Sequence, residues 1–431
     1  MSAGDRPASA LGINHLDAGY DIRGPTRTFL CVSEVESGER HASWLELFFD
    51  LIIVVAVAQL AHILHPTPEH SIDGHRVLLF LGLYYAIWSV WTSFTLYANV
   101  AGPKTRQRAM LAAMFGIAVM AASVPEVTGA HGTAFAIAYV YCRLLATSTW
   151  GSTNTFFGGW PAAQNGAGLI PWVISIWAHH PPTRYWLWGI GIALDLAISF
   201  LRSGDSEEQL NRITKRFEEH RQREEARGRR RRPFTLPEPA RLNEHHLAER
   251  LGLFVIIVLG EAVMQVVMAT SEVEWTWALI VSALAGFGLL VGFWWLTLQY
   301  GASAAPVHDV KPRVTMPGHF AMTAGIAAIA AGLGALVAHP EGHLEEAVKW
   351  TLCGGTIVYF LTSGIIAKAA GARIGWVLAW SLPAVIGPAA LGLSPLPGWG
   401  LVIGLLVVAG WQVWFPRITG VTGRPQAPAA P

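Results

Sequence analysis

Twelve apolar stretches separated by short polar or Gly/Pro-containing segments run along the chain, at about 44–64, 77–98, 108–124, 132–149, 163–179, 185–201, 247–269, 275–299, 317–338, 346–367, 374–393 and 398–415. A helix needs about 20 mostly apolar residues to cross a bilayer, and most of the stretches approach that length. The pattern predicts an all-α polytopic membrane helical bundle of about 12 transmembrane helices. Pro171 and Pro383 fall inside two of the stretches. Such breaks are tolerated in membranes where neighbouring helices or water take up the freed backbone groups.

The polar remainder divides the chain. Residues 1–42 form a polar tail, 43–201 a first six-helix half and 202–245 an Arg-rich linker. Residues 246–415 form a second six-helix half and 416–431 a second tail. In the linker, Leu210, Ile213 and Phe217 make a narrow apolar stripe at helical spacing. Glu208/Arg212 and Glu219/Arg223 are pairs four residues apart, which stabilise an exposed helix. Arg227 and residues 229–232 follow as a basic cluster. The stripe and the cluster fit a surface helix on anionic headgroups. The stripe is short, which favours a solvated linker that only fixes topology.

Composition agrees with the pattern. The chain is 52% hydrophobic and only 14% charged, with 19 tryptophans and 44 glycines, against about 25% charged in soluble domains. A net charge of +1 gives no reason to expect nucleic acid as a partner. Cys31, Cys142 and Cys353 are widely spaced, so neither a disulfide framework nor a structural zinc site is implied. Residues 1–40 hold no apolar run of signal-peptide length. Of 30 Lys and Arg, 25 fall before the first stretch, in the even-numbered loops or after the last; 3 fall in the odd-numbered loops and 2 within spans. The positive-inside rule then places both termini and the linker in the cytoplasm.

An offset of 203 aligns Glu46 with Glu249, Trp91 with Trp294 and Tyr97 with Tyr300. Six helices per half would give both halves one orientation, a parallel repeat found among secondary transporters.

The candidate chemistry lies in charge within apolar stretches. Glu46 and Asp50, four residues apart, share a face of the first stretch. Glu249, Arg250 and Glu261 lie in the seventh, Asp195 in the sixth and Arg143 in the fourth. Five acids against two bases leave about three negative charges in a low dielectric, so some acids must be protonated or hold a cation. That suits a carrier coupled to protons or a cation. The plainer role for each is polar glue between helices. His62 and His65 stand three apart with no zinc-type spacing, so no metal or cofactor is expected. No nucleophile elbow, phosphate loop, dinucleotide fingerprint or HExxH pattern occurs, which argues against a soluble-type enzyme.

The stretch SWLELFFDLIIVVAVAQLAH and the later HHLAERLGLFVIIVLGEAV resemble the two signatures of the bacterial low temperature requirement A family. Tyr141-Cys142-Arg143-Leu144 resembles its short Y-x-R-L element. The resemblance spans about residues 40–415 and implies a multi-pass inner-membrane protein linked to growth in the cold. It implies no settled reaction, substrate or cofactor. By motif position it adds His246 to Glu46, Asp50, Arg143, Glu249, Arg250 and Glu261.

Three functions are open on these grounds. One is a secondary-transporter-like carrier, with membrane lipids, a proton or cation and a small molecule as partners. Another is a non-transporting protein supporting envelope or lipid homeostasis in the cold. The third is a membrane-embedded enzyme acting on lipid. A pairing of Arg143 with Asp50, Glu249 or Glu261 is expected, because a lone buried guanidinium is costly.

Overall fold

The computed structural model describes residues 41–66, 72–101, 103–178, 180–204, 238–271, 273–300, 310, 312–339 and 344–419, and scattered positions between 208 and 219. The helices are α1 Trp44–Ile63, α2 Gly74–Val100, α3 Pro103–Ser123, α4 Gly132–Thr153, α5 Leu169–Ser175 and α6 Pro181–Arg202. After the linker come α7 Glu244–Ser271, α8 Trp277–Trp295, α9 Pro312–Ala338, α10 Glu346–Ala369, α11 Ile374–Gly392 and α12 Gly398–Thr419. Among the described residues, nine helices are long and apolar enough to cross a membrane: α1, α2 and α6 to α12. The basic cluster at Arg227 and 229–232, and both tails up to residue 40 and from residue 420, lie outside the described residues. So do Ile213 and Phe217 of the linker stripe, whereas Arg212 does pair with Glu208.

Local chemistry sets the helix starts. Ser43 accepts from the Glu46 N–H while the Glu46 carboxylate accepts from the Ser43 N–H, a capping box that begins α1. Asp73 caps α2 at 2.8 Å and Thr276 caps α8 at 3.3 Å. Asn154 ends α4 in the left-handed region, at φ 52°, which asparagine tolerates better than most residues. Its carbonyl opens a two-residue parallel pairing, Thr155–Phe156 (β1) with Glu238–Pro239 (β2), that ties the end of the linker to the first half.

The fifth stretch departs from expectation. It is not one helix but a crossing broken into a 3-10 turn at Pro161–Ala163 and the seven-residue α5. It still passes from one end of the bundle to the other. Gly159 meets Ser203 at the end of α6, while Ala178 meets Arg184 at the α6 start. Pro161 and Gly168 mark the segment that stays unwound, and a Cβ at Gly168 would lie 2.4 Å from the Asp195 carboxylate.

Helix neighbours follow two similar circuits. In the first, α1 packs on α2 and α3, α3 on α4, α4 on α5, α5 on α6 and α6 on α2. In the second, α7 packs on α8 and α9, α9 on α10, α10 on α11, α11 on α12 and α12 on α8. The circuits meet where α1 and α2 touch α7 and α9. In the second, glycines bring backbones together. Gly325 and Gly355 face each other so closely that a Cβ on either would fall within 2.8 Å of the other's carbonyl oxygen.

Side chains such as Phe48, Leu51, Phe115, Leu284 and Ile386 stay exposed along the outer faces, where lipid would cover them. Exposed tryptophans gather at the two ends. Trp44, Trp294 and Trp414 lie towards the end where α1 begins, and Trp177, Trp186, Trp275 and Trp277 towards the other. Such girdles mark the two membrane interfaces. The end where α1 begins is called the near end below, and the opposite one the far end.

Candidate functional site

The charged residues found within spans resolve into three arrangements. The first is a seam between α1 and α7. Arg250 donates through Nη2 to Asp50 Oδ1 at 2.8 Å, and Trp91 on α2 donates its indole N–H to the same oxygen at 2.8 Å. One turn nearer the near end, His246 Nε2 lies 3.4 Å from Glu46 Oε2. Both pairs join residues 200 apart, in the same order along each helix. The two helices therefore run side by side in one direction. All four side chains are buried.

A polar frame holds this seam. Asn99, near the end of α2, accepts from the Asn243 N–H at 2.7 Å and donates to the Asn243 carbonyl at 3.0 Å. Asn243 in turn accepts from the His246 N–H at 3.0 Å. The Asn99 amide also lies 3.1 Å from His246 Nδ1. An amide N–H directed at Nδ1 leaves the Nε2–H of a neutral imidazole to face Glu46. Behind Asp50, the Trp91 ring stacks on His319 of α9 at 5.6 Å. His319 Nδ1 accepts from the Trp88 indole at 3.1 Å, so its Nε2–H donates to the Leu251 carbonyl of α7. One histidine thus ties three helices together.

The seam pair is incompletely bonded. Asp50 Oδ2 and Arg250 Nε and Nη1 are buried without a hydrogen-bond partner. A buried guanidinium usually offers two parallel bonds to its carboxylate. Here one nitrogen carries the pair, with Thr95 at 3.5 Å as its second contact.

The second arrangement is a staple inside the first half. Arg143 of α4 pairs with Asp195 of α6 at 3.2 Å. The same Nη2 donates to the carbonyls of Ala162 and Asn165 at 2.9 and 2.7 Å. Those carbonyls belong to the broken fifth crossing, freed because no helix continues there. The Tyr139 ring packs beneath the guanidinium at 5.9 Å. The expected partners of Arg143 were Asp50, Glu249 and Glu261; its partner is Asp195, because α4 packs on α2, α3 and α5, with α6 behind α5, and not on α1 or α7.

The third arrangement lies at the far end of the seam. Glu261 is buried and accepts from Gln265, one turn on, at 2.6 Å through Oε1. Neither Asp50 nor the Arg143–Asp195 pair bonds to it. Glu249, by contrast, faces away from the seam. It accepts from the Ala42 N–H at 3.1 Å and keeps 29% of its side chain exposed. Neighbours on a helix point about 100° apart, so when Arg250 faces α1, Glu249 cannot.

These findings redraw the charge balance. Arg143 and Arg250 each have an aspartate, Glu249 is partly exposed, Glu46 lies beside His246 and Glu261 accepts from Gln265. Among the described residues, no three His, Cys, Asp or Glu side chains are grouped to hold a metal ion.

A sequence model of the bacterial low temperature requirement A protein (LtrA) family matches residues 41–411. The chain belongs to the LtrA family. It is also 26% identical over 377 residues to an uncharacterized protein of Rhizobium meliloti (strain 1021), covering 78% of this chain and 79% of that one. With its long apolar helices, this LtrA-family chain is a multi-pass membrane protein. Both signature stretches of the LtrA resemblance lie along the seam, with α1 supplying Glu46 and Asp50, and α7 supplying His246, Arg250 and Glu261. His319, Trp91, Trp88 and Asn99 were not among the sequence candidates. An uncharged histidine or tryptophan in an apolar stretch gives no charge signal, although His319 beside Pro317 and Gly318 was a weak one.

Proposed function

We propose that this LtrA-family protein is a secondary-transporter-like carrier whose two six-helix halves meet at the α1–α7 seam. The observation that carries the reading is the seam itself, with two titratable pairs buried one turn apart between the first helices of the two halves. An ionisable group at membrane depth is costly and is usually kept for ion or substrate handling. Each half would be one copy of a parallel repeat. Support comes from the matching circuits of helix neighbours and from the parallel run of α1 and α7. The broken crossing at α5 adds to it, because carriers build their polar sites with discontinuous helices.

In this reading the Asp50–Arg250 pair exchanges partners as the halves rock. Its spare oxygen and spare nitrogens are what such an exchange requires. Glu46, held by His246, Ser43 and the α1 cap, would pass a proton or cation between that pair and the near end. Both termini and the linker would face the cytoplasm at the near end of an inner-membrane protein, and the activity would support growth in the cold.

The test is uptake or proton flux in proteoliposomes, run beside cold-growth complementation, with Asp50→Asn and Glu46→Gln. Normal folding with loss of both activities is the expected result. Full cold growth in both variants would sink the reading. A second reading is a non-transporting membrane protein that supports the envelope in the cold. It draws on the Arg143 staple, which ties three elements with one nitrogen as a purely structural device would. Cold complementation by a variant that moves no ion would favour it.

A further inference from the structure

Two polar side-chain atoms lie buried without a hydrogen-bond partner at the far end of the seam, among the described residues. Glu261 is about 1% exposed, and its Oε2 has no hydrogen-bond partner. His65 stands just beyond α1, and its Nε2 is also buried without a partner. Burial, with His62 beside it, holds the His65 imidazole down at about 4. The ring is then neutral near pH 7, and its unpartnered Nε2 can present a lone pair. Gly334 of α9 leaves room beside His65 and beside Gln265, whose amide bonds Glu261. A methyl placed there would sit 3.4 Å from Gln265 Oε1 and 3.5 Å from His65 Nε2, ordinary contact distances.

We propose that Glu261, Gln265 and His65 form a binding site for one monovalent cation, in the space that Gly334 leaves open. A carboxylate oxygen, an amide oxygen and an imidazole nitrogen are acceptors, so the occupant must be positive or donate protons. One buried carboxylate matches one positive charge. Among the described residues, the cationic and titratable groups around it are few. On α1 these are His62, which is exposed, and His65. On α2, the Arg76 guanidinium donates through Nη1 to the His65 carbonyl at 3.4 Å. On α9, Gly334 and Ala331 face the site, and His339 follows five residues beyond Gly334. A divalent transition metal would need more charged ligands than the described residues supply. The proposal rests on the carrier reading, for which it names the coupling ion.

The test is thermal unfolding of the full-length protein in nanodiscs, read by intrinsic tryptophan fluorescence. Sodium, potassium, ammonium and choline chloride are compared at one ionic strength and neutral pH, and choline is then titrated with acid. A rise of about 2 °C or more in one small cation over choline, lost in Glu261→Gln, supports an alkali-metal or ammonium site. No difference among the salts, with an acid response in choline that Glu261→Gln removes, makes the proton the cation and also supports the site. Gly334→Ala guards against misfolding. Its methyl fits without clash, so the baseline holds or rises while the cation response is lost. A wild type with neither response, or a response kept in both variants, overturns the proposal. Absent transport with the cation response intact would sink the carrier reading and leave the site standing.

Discussion

Two buried Arg–Asp pairs, built from the same side chains, sit in opposite mechanical settings. Arg143–Asp195 joins α4 to α6, and its guanidinium also grips two carbonyls of a broken crossing. Arg250–Asp50 joins α7 to α1, and its further contacts are side chains, Trp91 and Thr95. Neither arginine side chain is more than 2% exposed, so burial alone does not separate them. What differs is the rest of the coordination. Backbone carbonyls of a fixed segment cannot leave, whereas side chains can turn. A buried ion pair is weak evidence of stability in itself, but removing one partner is severe. The staple should therefore behave as structure and the seam as machinery.

The largest expected effect breaks the staple. Arg143→Leu leaves Asp195 and the carbonyls of Ala162 and Asn165 without their shared donor. A loss of about 3–5 kcal/mol is expected, seen as collapse of monodisperse protein in size-exclusion chromatography. Arg143→Lys should rescue part of the loss, since one ammonium offers three N–H donors where Nη2 alone now makes the contacts. If Arg143→Leu purifies as well as wild type, the staple is not structural and the contrast fails.

The seam should respond less in stability and more in activity. Asp50→Asn keeps an acceptor for Trp91 and Arg250 but removes the charge. The protein should still fold, with cold growth lost. Asp195→Asn should show the reverse ranking, with a stability loss exceeding the loss of activity per folded molecule. A double-mutant cycle of Asp50→Asn with Arg250→Gln sharpens this. Groups in direct contact couple by about 0.5–3 kcal/mol, so the double variant should be more stable than the two single losses added together. Additive losses would mean that the pair does not interact in the membrane.

A smaller effect tests the rest of the second half, where helices meet through glycine and not through charge. Gly355→Ala places a methyl 2.7 Å from the Gly325 carbonyl oxygen, and α9 and α10 must part to admit it. Overpacking of this kind costs about 1–3 kcal/mol. The melting temperature should fall while the cation response of the seam persists. A variant as stable as wild type would show that α9 and α10 can separate freely.

Much of this architecture was legible along the chain, and the reasons differ by feature. The long helices stood out because a membrane span must be apolar over most of its length. The capping box at Ser43 and Glu46 follows from local sequence alone. The break in the fifth crossing was half legible in Pro171, but its carbonyls and their use by Arg143 depend on a neighbour 19 residues away. Asp195 as the partner of Arg143 was missed because helix order around a bundle is not written in periodicity. Glu249 and Arg250 are adjacent in sequence, and only packing against α1 decides which one faces inward. His319 was missed for a different reason. Its importance lies in bridging three helices while uncharged, which no one-dimensional pattern records.

The smallest expected effect is a pH dependence, and it separates seam from staple because only the seam ends in histidines. His65 titrates at about 4 in the folded protein, held there by burial and by His62, against about 6.5 for an unperturbed imidazole. Between those values the unfolded chain binds a proton that the native one does not. Stability therefore rises with pH across that window. It is fully present above about 6.5 and falls as pH drops towards about 4, below which both states are protonated and the slope ends. Carboxylates also titrate in this range, so the informative quantity is the difference between wild type and His65→Asn. Wild type should lose melting temperature more steeply between those pH values, and the variant should show a shallower slope with a similar plateau near pH 7. Combining His65→Asn with Asp195→Asn should leave that difference unchanged, since the staple carries no histidine. Identical slopes in wild type and His65→Asn would place the imidazole in water, and with it would go the lone pair beside Gly334.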